Sequence, residues 1–207
     1  MLAPEEQEFV AIVRQFVDNE VKPAVHDLEA SNTYPEALIE QMKELGIYGL
    51  AIPEPWGFGQ VSAECYVTVA AELARGWMSL AGAMGGHSVV AKLIHDFGTD
   101  EQKDRYLPRM ATGELRATMA LTEPSGGSDL QAMRTVARPV EDGYRLKGSK
   151  TWISNARRSG LLAVLCKTDP EASPAHKGVS ILLVEHGDGL TISKDLLQAR
   201  LQGCRGL

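Results

Sequence analysis

A change of hydrophobic period near Gly113 limits what this chain can fold into more than any other feature. Before it, apolar residues recur at helical spacing; after it, they alternate or cluster over strand lengths. From Pro4 to about Asn32 they fall at Phe9, Ile12, Val13, Phe16, Val17 and Val21. Pro4 suits a first helical position, and Glu5, Glu6 and Glu8 suit the positive end of the helix dipole. Pro35 opens a second helix with Leu38, Ile39, Met42 and Leu45 on one face, and Gly46 closes it. Pro and Gly make Ile52 to Gln60 a loop. Ser62 starts a third helix through Cys65, Val69 and Leu73, Ser79 a fourth, and Thr99 a fifth with an acidic first turn. Gly82, Gly85 and Gly86 weaken the fourth helix unless another element packs very close.

Beyond Gly113, "LRATMAL" reads as a strand, and "MRTVARPV" and "GYRLKGSKTWIS" alternate around an "EDG" turn. "LLAVLCKT" and "VSILLVEH" are short apolar runs of strand length, joined by the turn-rich "DPEASPAHKG". Helices first and strands after predict an α+β chain with segregated layers or two domains, not a βαβ repeat. We place an α-helical domain at 1–115 and a β domain at 116–207. The apolar tail with Leu196, Leu197, Leu201 and Leu207 has little chain left to pack against, so the β domain is expected to be incomplete at its C-terminal end.

With 207 residues, 44% of them apolar, the chain can bury a real core. Its net charge is −6 with scattered cations, which disfavours nucleic acid and anionic membranes as partners. No apolar run approaches the ~20 residues that span a bilayer, and "MLAPEEQEF" resembles no signal or transit peptide. Cys65, Cys166 and Cys204 lie far apart, and an odd count fits a reducing, cytoplasmic setting.

Several motifs fail on context. "GYRLKGSKT" nearly matches a phosphate-binding P-loop, but Ser149 separates Gly148 from Lys150, and the stretch lies in strand-like alternation. A strand with a bulge explains it better. His26, His87, His95, His176 and His186 lack metal-ligand spacing, so no metal is expected. Ser128 with His87 and Asp129 could form a hydrolase triad, but the context is not G-x-S-x-G.

"TEPSGGSD", Thr122 to Asp129, is more informative. Gly126 and Gly127 permit positive φ and close approach to a ligand. Successive N–H groups in such a turn form an anion nest, to which Ser125 and Ser128 add hydroxyls. In "KTWISN", Trp152 and Ser154 are two apart, hence on one face of a strand. An indole and a hydroxyl side by side suit a flat heteroaromatic. The residues alone leave two readings open: a polar turn beside a core tryptophan, or a cofactor site.

"ALTEPSGGSDLQA", Ala120 to Ala132, resembles the signature of the acyl-CoA dehydrogenase family. "WISN", Trp152 to Asn155, and the segment from Phe97 to Glu114 resemble two further family motifs in the same order. The resemblance implies an N-terminal helical domain, a middle β-barrel-like domain and FAD as cofactor. It implies flavin contacts from the segment Met119 to Ser128, which includes Leu121. Thr122 would bond the ring, and Gly127 and Ser128 would lie on the phosphate side, Ser128 also touching the acyl-CoA. In the second motif, which includes Ile153, Trp152 would pack beside the flavin and Ser154 would lie near its reactive edge. The "SPAHKG" loop with His176 looks like a CoA-facing loop.

The implied reaction is α,β-dehydrogenation of an acyl-CoA to a trans-2-enoyl-CoA in fatty acid oxidation, with electrons leaving through an electron-transfer flavoprotein. Family members assemble as oligomers and carry a third, helical domain with the catalytic glutamate, which this chain is expected to lack. Glu114, Glu123 and Asp129 do not match that glutamate, and no catalytic base is assigned; Glu123 is expected to brace its turn. The alternative is a non-catalytic subunit that lends structure or a half-site to a longer paralogous chain.

Overall fold

Helix α1 (Pro4–Phe16) begins at Pro4, whose missing N–H costs nothing in a first turn. The Glu6 carboxylate accepts from the Ala3 N–H at 3.1 Å. The computed structural model describes residues 1–192, and the tail leucines and Cys204 named above lie outside the described residues. The chain divides into two units after Leu115.

The predicted first helix is interrupted. A π-turn, Val17–Val21, separates α1 from α2 (Lys22–Ala30). Pro23 explains it: inside a regular helix its ring would clash with the carbonyl four residues back, and a π-turn widens the spacing there. Val10, Val13, Phe16, Val17 and Val21 are buried, whereas Ile12, expected on the apolar face, is 41% exposed. Helix α3 (Glu36–Glu44) buries Leu38, Ile39 and Met42, and Gly46 follows it at φ +74°.

The long element α4 (Ala63–Phe97) starts at Ser62, whose hydroxyl accepts from the Cys65 N–H at 3.1 Å. It breaks at Trp77 (φ −157°, ψ 113°), two residues before the start predicted for a fourth helix. At Gly76 a Cβ would sit 2.7 Å from Val17 Cγ1, so glycine permits α4 to cross the π-turn. Gly82 and Gly85 are not crowded; a Cβ there would meet nothing within 4 Å. An ion-pair chain runs beside the crossing: Arg14 to Glu72, Glu72 to Arg75, Arg75 to Asp18, and Asp18 to Lys22, all between 2.6 and 2.8 Å. Helix α5 (Asp100–Ala111) carries the predicted cap, with Thr99 and Gln102 bonded reciprocally. The core gathers the buried faces of α1, α3 and α4 with Ile47, Tyr48 and Leu50.

The second unit is one mixed sheet. Its strands are β1 (Ala117–Ala120), β2 (Val136–Val140), β3 (Gly143–Lys147), β4 (Leu161–Lys167) and β5 (Val179–Glu185). β4 is central and buried along nearly its whole length, which its unbroken apolar run anticipates. β5 pairs antiparallel along one edge of β4. β1 pairs parallel with Leu161–Val164, and β2 meets β4 at Val136↔Lys167. β2 and β3 form a hairpin. Among the described residues β1, β3 and β5 each pair with one strand only, so all three leave an edge of the sheet open. The strand predicted over "GYRLKGSKTWIS" ends at Lys147, and residues 148–155 are irregular rather than a bulged strand. Gly148 lies against the Thr135 side chain, with no room for a Cβ.

Candidate functional site

β1 delivers the chain into the turn that contains the glycines. Glu123 and Gly126 exchange both backbone hydrogen bonds, each 3.0 Å, around Pro124 and Ser125. Proline presets φ at the second position of such a turn. The expectation of positive φ holds at Gly126, at φ +158°, and fails at Gly127, which is not left-handed. Gly127 is required by proximity, since a Cβ there would lie 2.9 Å from Thr122 Cγ2 and 3.1 Å from its Oγ1. The N–H groups of Gly127 and Ser128 have no hydrogen-bond partner among the described residues. Thr122 is half-buried and Ser128 exposed.

Residues 150–154 run antiparallel to 118–123 without forming a ladder. The Lys150 ammonium donates to the Leu121 carbonyl (2.9 Å), the Thr151 N–H to the Thr122 carbonyl (2.9 Å), and the Thr118 hydroxyl to the Ser154 carbonyl (2.8 Å). The two sequence-predicted segments are therefore neighbours. Trp152 does not share a strand face with Ser154, because its backbone is left-handed at φ +58°. Asn155, at φ +60°, is left-handed as well. Bulky residues occupy that region at a cost. Here it leaves the indole 63% exposed and Ser154 exposed, while Ile153 between them packs against Ala120, Leu162 and Val164. Met119 and Leu121 are half-buried beside them.

A buried ion pair braces this arrangement. Glu123 Oε1 accepts from Lys150 Nζ (2.9 Å) and the Thr135 N–H (3.0 Å), and Oε2 from the Arg134 N–H (2.7 Å). Burial alone would raise the carboxyl pKa. Hydrogen bonds from Thr135, Arg134 and Lys150 outweigh that and hold it down to about 2. Glu123 is thus a fixed carboxylate. Sequence reasoning expected it to brace the turn but missed Lys150, which carried no local signal because its partners lie 27 and 29 residues away.

Other candidates separate. His87 is fully buried in the helical unit, its Nε2 3.1 Å from the Met110 carbonyl oxygen, so it cannot serve Ser128 as a base. Arg157 and Arg158, in a single turn after Asn155, both have partners. Among the described residues no group of three or more His, Cys, Asp or Glu could hold a metal, and no helix is long and apolar enough to cross a membrane.

An all-helical unit followed by a mixed sheet, with a glycine turn beside an exposed left-handed indole in the sheet unit, defines a two-unit scaffold. Family models place that scaffold. Residues 3–114 match the acyl-CoA dehydrogenase N-terminal domain, and residues 118–204 match the middle domain. The chain belongs to the acyl-CoA dehydrogenase family.

A similar curated protein is (2S)-methylsuccinyl-CoA dehydrogenase of Cereibacter sphaeroides, 38% identical over 85% of this chain and 32% of that one. An acyl-CoA dehydrogenase structure from Geobacillus kaustophilus superposes with a TM-score of 0.81 at 38% identity, covering 89% of this chain and 48% of that one. One from Bacillus anthracis, complexed with FAD, gives 0.77 at 32% identity, covering 88% and 31%. The chain spans less than half the length of each of these relatives.

Proposed function

We propose that the chain supplies the flavin-holding half of an FAD-dependent acyl-CoA dehydrogenase, which converts an acyl-CoA thioester to a trans-2-enoyl-CoA. The observation that carries the reading is the antiparallel seating of Thr122 against Thr151, which brings the glycine turn and the Trp152–Ser154 segment side by side. The residues present fit the cofactor. The N–H groups of Gly127 and Ser128, unengaged among the described residues, with the hydroxyls of Ser125 and Ser128, suit a pyrophosphate without a cation. An exposed indole held in a costly backbone region suits a ring system that would cover it.

Thr122 would donate its hydroxyl to the ring edge, with Met119 and Leu121 beside it. Trp152 would pack along the ring and Ser154 would present a hydroxyl near it. Ile153 contributes through its main chain, since its side chain is in the core. Ser128 also contacts the acyl-CoA. FAD, when bound, would supply the two-electron oxidation that the acyl chain requires. Loss of the α-proton needs a polarised thioester carbonyl and a base. Glu123 is excluded from that duty by its three hydrogen bonds and its depressed pKa. An electron-transfer flavoprotein suits the role of acceptor, and a cytoplasmic oligomer suits the setting.

The test is a titration of the chain with FAD, followed by flavin fluorescence. Saturable binding that Thr122→Val and Trp152→Ala each weaken is expected. Absence of saturable binding, or equal binding by both variants, would sink the assignment. Butyryl-CoA added to the flavin-loaded chain with a dye acceptor should show no turnover, since no catalytic base is assigned among its residues.

A further inference from the structure

The Glu123–Lys150 pair is more elaborate than a turn needs. Its side chains are 4% and 11% exposed. The carboxylate accepts three hydrogen bonds, and the ammonium donates to both Glu123 and the Leu121 carbonyl. Buried ion pairs are a poor source of stability, because two apolar side chains of similar volume often serve as well or better. They add direction, since each bond fixes one atom against another. Here the bonds converge on Thr122, whose neighbours Leu121 and Glu123 are both tied to Lys150. The residue after that lysine, Thr151, donates to Thr122 itself. Glu123 also grips the main chain of Arg134 and Thr135 at the entry to β2.

We propose that Glu123 and Lys150 are positioning residues for the flavin, fixing the separation of Thr122 from the Trp152–Ser154 segment and thereby setting the affinity of this face for FAD. The proposal rests on the FAD reading above and adds residues that need not touch the cofactor. A purely structural pair would change the melting temperature and leave the flavin's environment alone. A positioning pair does the reverse.

The experiment replaces both charges at once, as Glu123→Leu with Lys150→Met, in the full chain. Melting by circular dichroism should remain close to that of the parent. The FAD dissociation constant should rise about tenfold or more, and the visible bands of the bound flavin should lose resolution. FAD affinity within about twofold of the parent and an unaltered flavin spectrum overturn the proposal. If the double variant does not fold, Lys150→Arg gives the decision, since it keeps the charge but replaces three rotatable donors by a planar fork. Weakened FAD binding at unchanged melting temperature supports the proposal, and unchanged binding overturns it. Failure of the parent chain to bind FAD is a distinct result that removes the functional reading and the positioning role together.

Discussion

Replacing Gly127 by alanine tests the site at its tightest contact. The new methyl would lie 2.9 Å from Thr122 Cγ2 and 3.1 Å from its Oγ1, with no left-handed backbone to complicate the reading. Carbon atoms prefer about 3.5–4.0 Å, so Thr122 must retreat by up to about 1 Å. Overpacking costs about 1–3 kcal/mol in a closed interior, and the half-buried Thr122 places this site at the lower end. A displaced hydroxyl also forfeits its hydrogen bond to the ring, worth about 1 kcal/mol. The overpacking cost falls on folding stability with or without the cofactor, so the expected loss in FAD affinity is that of the hydrogen bond, about 1 kcal/mol or a factor of roughly 5. Flavin fluorescence titration measures it, with far-UV circular dichroism as the check on folding. Thr122→Ser on the same background deletes Cγ2, the closer contact, and should recover most of the loss. Parental FAD affinity in Gly127→Ala, or no recovery in the double variant, would refute the reasoning.

Trp152→Gly removes the left-handed penalty and should raise stability by about 1 kcal/mol in a thermal melt, yet FAD binding should weaken; a variant that gains stability and keeps its affinity would contradict the indole's assigned role. Glu123 has a folded pKa of about 2 against 4.5 for the free group, so its contribution is complete above pH 4.5 and lost as pH falls toward 2. An acid titration of stability should show that loss, and Glu123→Gln should flatten it. Gly76→Ala would place a methyl 2.7 Å from Val17 Cγ1. It should therefore destabilise the helical unit by about 1–3 kcal/mol despite alanine's better helix propensity, as read by helical circular dichroism on heating.

Patterns that repeat along the chain were legible. The switch from helical to strand period, the caps at Ser62 and Thr99 and the apolar run of β4 are local signals, and the structure honours each. The π-turn had its signal in Pro23, four residues past Asn19, but apolar spacing through Val17 and Val21 continued across it and concealed the interruption. Residues 148–155 misled for another reason. Their alternation is that of a strand, while their backbone is set by contacts with residues 118–123, nearly thirty positions earlier. No local rule puts a tryptophan at φ +58°. The glycine pair was legible as a close-approach turn, but what approaches Gly127 is Thr122 of the same turn. Lys150 could be seen only as part of a failed phosphate motif, because an ion pair across so many residues leaves no mark in composition or period.

The π-turn at Val17–Val21 has an evolutionary corollary. Such a turn holds one residue more than an α-turn requires. Deleting one residue there would give a smoother helix, but would swing everything downstream by about 100° around the axis. Val25 and Leu28, which pack on the core, would then turn away from it. Single-residue indels in this stretch should therefore be selected against in this lineage, while point substitutions on its exposed side are tolerated.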